Sequence, residues 1–163
     1  MSDTFEWLPE LIKLNDHDGW EEYCEAIYAV FHQDFVASKP TYAAKRFALK
    51  RHPEYDGKAA TFWHLISEGK VEEERTPDMR RCERIAWPKP IIEAIDEECV
   101  RVWRNRRGRS NRILIAVADF SYVVILDDRD EFVLLWTAYY LKYPNQRRKM
   151  EREYKAWSAE NQP

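Results

Sequence analysis

From Trp20 to Phe35 the side chains Trp20, Tyr23, Cys24, Ile27, Tyr28, Phe31 and Phe35 recur at three- and four-residue intervals. This is the spacing of one face of an α-helix, and it predicts a helix over 20–36. Asp16 or Asp18 can cap its start, and Glu21 and Glu22 suit the positive end of the helix dipole. Ahead of it, Trp7, Leu8, Leu11, Ile12 and Leu14 surround Pro9 and read as a short helix or an ordered arm. Residues 37–57 read as an irregular connection with a basic core, Lys45-Arg46 and Lys50-Arg51-His52-Pro53, and with room for a strand over 42–49. A short helix is predicted over 58–67, with Gly69 as its C-cap. Glu72–Glu74 reads as a solvated loop. Thr76-Pro77-Asp78 starts another helix, with proline in the first position, running to about Trp87. Pro88-Lys89-Pro90 interrupts it, and 91–98 resumes helical spacing.

The pattern then changes period. In 99–104 Val100 and Val102 alternate with Arg101 and Arg104, and three further apolar runs follow at 111–117, 122–126 and 132–137. The separating stretches are turn-like: Gly108 with Ser110, Asp119-Phe120, and Asp127-Asp128-Arg129-Asp130. Short strands joined by polar turns predict an antiparallel meander of about four strands. A basic helix follows from Asn145, through Arg147, Arg148, Lys149 and Arg152. The fold class expected is α+β, with N-terminal helices on a C-terminal meander closed by a last helix. One domain spans 1–163, divided into an acidic helical arm (1–36), a mixed helical region (37–98), the meander (99–142) and the basic helix (143–163).

Composition narrows the class. The chain has 163 residues, 45% of them hydrophobic, enough for one well-buried core and too apolar for disorder. Cys24, Cys82 and Cys99 form no CxxC or Cys/His cluster, so neither a zinc site nor a disulfide framework is expected. The N-terminus is acidic, and no apolar run approaches a membrane span, so a cytoplasmic protein is expected, with no membrane partner. There is no GxxxxGK[ST], GxSxG or HExxH. The Asp127/Asp128/Asp130 cluster lacks the further partner a metal needs, and no cofactor is expected.

Charge distribution changes the picture again. The formal net charge is only −3, yet Arg101, Arg104, Arg106, Arg107, Arg109 and Arg112 fall within twelve positions. The acidic excess lies mainly before residue 28 and at 68–74. Arginines beside Trp103 and several tyrosines suit phosphate contacts with base stacking; a solvated hairpin tip that blunts the sheet edge is the plain alternative. Arg80 and Arg84 share one helix face, and Arg81 points elsewhere. His64, in Thr61-Phe62-Trp63-His64-Leu65, is a candidate acid or base, because histidine titrates near neutrality. At the end of the last strand, Thr137, Tyr139 and Lys142 bring a hydroxyl, a phenol and an amine together. Alternation puts Thr137 and Tyr139 on one face. For His64 the alternative is a packed helix histidine, and for Thr137 and Tyr139 a strand cap.

A helical N-terminal part, an arginine-bearing meander, a last strand ending Leu135-Trp136-Thr137-Ala138-Tyr139 and a basic Arg147-Arg148-Lys149 helix resemble the barnase–EndoU–colicin–RelE-like group of small RNA-cleaving toxins. In particular the chain looks like the phage- and mobile-element-associated branch, over roughly residues 58–155. The resemblance implies a metal-independent endoribonuclease, acting as a toxin or phage-related effector by 2′-hydroxyl attack. Matching positions are His64, Arg112, Thr137 and Lys142. Arg84 joins Arg112 on the scissile phosphate, Tyr139 positions it with Thr137, and Arg80, Arg101, Arg104, Arg147 and Arg148 hold the rest of the RNA. The partners implied are RNA, tRNA among the candidates, and a cognate antitoxin or immunity protein. The acidic N-terminal segment departs from the group; it is either an added arm or a cover over the basic face. Two other readings stand beside this one: a non-catalytic interaction module of antitoxin, immunity or adaptor type, and an RNA-binding regulator.

Overall fold

The computed structural model describes residues 6–69 and 75–161; the acidic stretch at 72–74 lies outside them. The architecture is α+β. Helix α1 (Trp20–His32) follows a 3-10 turn at Leu14–Asp16 and continues into a π-helical turn, Gln33–Ala37. Then come β1 (Arg46–Ala48), α2 (Ala60–Ile66), the small pair β2 (Ser67–Glu68) and β3 (Thr76–Pro77), α3 (Met79–Glu83) and α4 (Pro88–Glu93). The meander is β4 (Val100–Arg107), β5 (Ser110–Val117), β6 (Tyr122–Asp128) and β7 (Phe132–Tyr140), and α5 (Pro144–Glu160) ends the chain.

The main sheet has the order β1-β7-β6-β5-β4. Its meander is antiparallel throughout, while β1 joins β7 in parallel through Arg46↔Phe132, Phe47↔Val133 and Ala48↔Leu134. Both faces are covered, which is why β5 and β6 read as nearly continuous apolar runs. On one face Ile113, Ile115, Val124, Leu126, Val133 and Leu135 meet Tyr23, Ile27 and Phe31 of α1, Phe62 and Ile66 of α2, and Ile91 and Ile92 of α4. On the other, Trp103, Leu114, Val123 and Ile125 lie under Met150, Tyr154 and Trp157 of α5. Each fully buried aliphatic or aromatic chain contributes about 1.5–3 kcal/mol, so these two layers fix how α2 and α5 approach the sheet.

Several local expectations are corrected. Pro77 lies in β3, opposite Ser67, and it is Asp78 that caps α3, its side chain accepting from the Arg80 N–H at 2.9 Å. A capping aspartate precedes the first helical residue, so the helix begins after Pro77. Pro88 opens α4 instead of breaking a helix, because the N–H it lacks has no partner in a first turn anyway. Asp127 and Asp128 lie at the end of β6: Asp127 pairs with Arg129, while Asp128 pairs with Lys45 and Arg104 and also accepts from the Asp130 N–H at 3.0 Å, so it helps form the turn as expected. The acidic α1 does not cover the arginine-bearing face under α5; its aromatic side is spent on the opposite face of the sheet.

Candidate active site

One irregularity in β7 sets up the site. Ile125 pairs with Thr137 and Leu126 with Leu135, so Trp136 is an extra residue without a partner on β6. Such a bulge inverts the alternation beyond it. Leu135 faces the α1 side, yet Thr137 and Tyr139 sit opposite Ile125 and Val123 on the α5 side. The same face receives Asn105 and Arg107 from β4 and Arg112 from β5, through the pairs Asn105↔Arg112 and Arg107↔Ser110.

β1 pairs with only the first part of β7. Farther along, α2 and α3 pack against the strand. The Thr137 hydroxyl donates to the His64 carbonyl at 3.2 Å. Arg81 Nη1 donates to the Ser67 carbonyl at 2.6 Å and reaches the His64 carbonyl at 3.4 Å; Arg75 Nη2 does the same at 2.5 and 3.4 Å. The last carbonyls of a helix have no partner within it, and here two guanidiniums and a hydroxyl supply them. His64 is thereby held at the cleft wall, with its ring 5.6 Å from that of Trp136.

The result is a cleft of about 690 Å³ whose lining includes His64, Arg81, Asn105, Arg107, Arg112, Thr137, Tyr139, Lys149 and Glu153. Lys149 and Glu153 are four apart on α5 and share its inner face. Glu153 is fixed: its Oε1 accepts from the Trp103 indole at 3.0 Å and from Asn105 Nδ2 at 2.6 Å. The Arg81 guanidinium lies 5.3 Å over the Tyr139 ring. Burial pushes the Tyr139 phenol up, against the opposing pull of Arg81, Arg107 and Arg112. Burial and then Arg107 push Arg112 down, with Tyr139 and Asp127 opposing. The cleft therefore combines a histidine, a fixed carboxylate, a protonated phenol and several guanidiniums, which is the equipment of acid–base chemistry on a phosphodiester.

Of the residues expected from sequence, His64, Arg112, Thr137 and Tyr139 converge here. Arg84 does not; it lies with Arg80 and Arg147 around Tyr140, and Arg81, read as pointing elsewhere, takes the cleft position. Lys142 stacks over Tyr143 at 5.3 Å, outside the cleft. Arg101 bonds the Glu98 and Val100 carbonyls, and Arg104 bonds Asp128 at 2.8 Å, so both serve local structure. Arg148 is exposed on α5 and does not line the cleft. Sequence reasoning missed Glu153, Asn105 and Lys149. The i, i+4 spacing of Lys149 and Glu153 was the available signal, and Met150, Tyr154 and Trp157 mark the inner face of α5, but nothing local told that Trp103 and Asn105 of β4 would meet it.

A second groove, about 960 Å³, is lined by Trp20, Glu21, Glu25, Tyr55, Asp56 and Trp63, among others, and its carboxylates make it unsuited to phosphate. Among the described residues, no three His, Cys, Asp or Glu side chains group as a metal site, and no helix is long and apolar enough to cross a membrane. No family model matches the chain, and comparisons with curated proteins and with solved structures found no match.

Proposed function

We propose that the protein is a metal-independent endoribonuclease. The observation that carries this reading is the convergence of His64, Arg112, Thr137 and Tyr139, which are distant in sequence, on one cleft beside the fixed carboxylate of Glu153. In the proposed reaction a base removes the proton of a ribose 2′-hydroxyl, whose oxygen attacks the adjacent phosphorus. The bond to the 5′-oxygen breaks, and an acid protonates that oxygen as it leaves. The products are a 2′,3′-cyclic phosphate and a 5′-hydroxyl, so no water or oxidant is consumed. Glu153 and His64 take the two proton-transfer roles, each of the kind that contributes about 10²–10⁴-fold. Arg112, Arg107 and Arg81 balance the charge gathering on the phosphate. Tyr139, kept protonated by burial, donates to a phosphate oxygen, and Thr137 positions His64.

A role as a toxin or phage-related effector belongs to the same proposal. Induced expression should arrest growth, and His64→Ala should relieve the arrest at equal protein level. Arrest that persists unchanged in His64→Ala would remove His64 from the mechanism. The acidic and aromatic groove favours a second reading, an interaction module for a basic partner; that reading requires a stable co-purifying protein and no effect on RNA.

A further inference from the structure

The arginines of α3 divide at the end of β7. Arg81 turns to Tyr139 and the cleft, while Arg80 and Arg84 turn to the next residue, Tyr140, where Arg147 of α5 joins them. The guanidinium carbons of Arg84, Arg147 and Arg80 stand 4.2, 5.5 and 5.7 Å from the centre of that one ring. Arg147 also donates to the Tyr140 hydroxyl at 2.9 Å and to the Leu141 carbonyl at 2.8 Å. Arg84 Nη1 donates to the Arg80 carbonyl at 3.1 Å, and among the described residues its buried Nε has no hydrogen-bond partner.

The charges do not balance. Among the described residues the carboxylate that pairs with the cluster is Glu83, 3.9 Å from Arg84. Among the described residues no carboxylate pairs with Arg80 or Arg147. A ring quadrupole attracts each cation but does little to relieve repulsion among three of them, and a phosphate between them would. One turn before Arg147 stands Tyr143, 53% exposed, whose main-chain carbonyl accepts from the Arg147 main-chain N–H at 3.2 Å and whose ring carries the Lys142 ammonium 5.3 Å from its centre. Arginines and a half-exposed aromatic ring are the two components of a single-strand site: one holds backbone, the other stacks an unpaired base on the face that Lys142 leaves open. Tyr139 and Tyr140 are consecutive in β7 and face opposite sides of the sheet; the arginines of α3 reach both, so the cluster and the cleft meet across the end of that strand.

We propose that Arg80, Arg84 and Arg147 around Tyr140, together with Tyr143, form a second subsite that binds a phosphate and an unpaired base of single-stranded RNA next to the cleft. The choice of RNA rests on the reading of the cleft as an RNA site. The subsite holds substrate in register and takes no part in bond breaking.

The test uses the full chain and a 2′-O-methyl single-stranded RNA oligonucleotide, which lacks the attacking hydroxyl, with binding followed by fluorescence anisotropy across a salt series. Arg80→Ala should weaken binding about five- to tenfold and lower the salt slope by about one. Tyr143→Ala should weaken it about fivefold to a hundredfold and leave the slope alone. Lys39→Ala, which removes an exposed charge elsewhere, should bind as wild type. Melting curves matching wild type establish that each variant is folded. Wild-type affinity in both Arg80→Ala and Tyr143→Ala overturns the subsite, and a duplex bound as tightly as the single strand overturns the base-stacking assignment. Weakened binding by the variants, with no cleavage of unmodified RNA by wild type, leaves the subsite standing and removes the nuclease reading; cleavage with unaltered variant binding does the reverse.

Discussion

Thr137 donates its hydroxyl hydrogen to the main-chain carbonyl of His64, joining the last strand to the end of α2 across 3.2 Å. The bond ties the histidine's position to the register of β7. Thr137→Val keeps the side-chain shape but removes the donor. Stability should fall by about 1 kcal/mol, the usual net value of one hydrogen bond. Cleavage should fall about tenfold or more, and Thr137→Ser should restore most of it. Steady-state kinetics beside urea unfolding separates the two effects. Equal activity of the valine and serine variants would show that the bond does not position His64.

Glu153 is the second group to test. Glu153→Gln keeps an oxygen for the Trp103 indole and the Asn105 amide but removes the proton acceptor. Turnover should drop about a hundredfold or more, and the pH–rate profile should lose one limb. The readout is single-turnover cleavage across pH, and an unchanged profile would confine Glu153 to a structural role.

Asp128 makes a prediction about stability. Burial raises its pKa, but hydrogen bonds from Arg104, Lys45 and the Asp130 N–H outweigh burial and bring it down to about 2. An unfolded aspartate titrates near 3.9, at about the ordinary value. Below that value the unfolded chain binds the proton that the native one resists, so stability falls as pH drops. The contribution is fully present above about pH 4 and is lost as pH falls through about 2. Asp128→Asn should cost about 1–3 kcal/mol at neutral pH and flatten that part of the curve. Urea unfolding at pH 6 and at about pH 2.5 checks it, and equal loss in variant and wild type at low pH would contradict the assignment.

The meander was legible because 111–117 and 122–126 are too apolar and too short for anything but buried strands, and because the turns between them are polar. The two tyrosine-end residues were legible as a pair, since alternation needs only local sequence. Which face they took was not: it depends on the bulge at Trp136, and nothing in Leu135-Trp136-Thr137 marks a residue left out of the ladder. The assignment of Arg84 over Arg81 failed for a related reason. Helix positions three apart differ by only about 60°, and the choice between them was made by where α3 docks on β7. Glu153 was invisible because its role comes from Trp103 and Asn105, fifty and forty-eight residues away. The parallel pairing of β1 with β7 is long-range in the same way.

The most direct test is chemical. Purified full-length protein is incubated with a single-stranded RNA in EDTA, and the new termini are analysed. Cleavage should leave a 2′,3′-cyclic phosphate and a 5′-hydroxyl, and His64→Ala should abolish it in protein that still melts as wild type. RNA that stays intact both in EDTA and with magnesium added, or products ending in a 5′-phosphate, would contradict it.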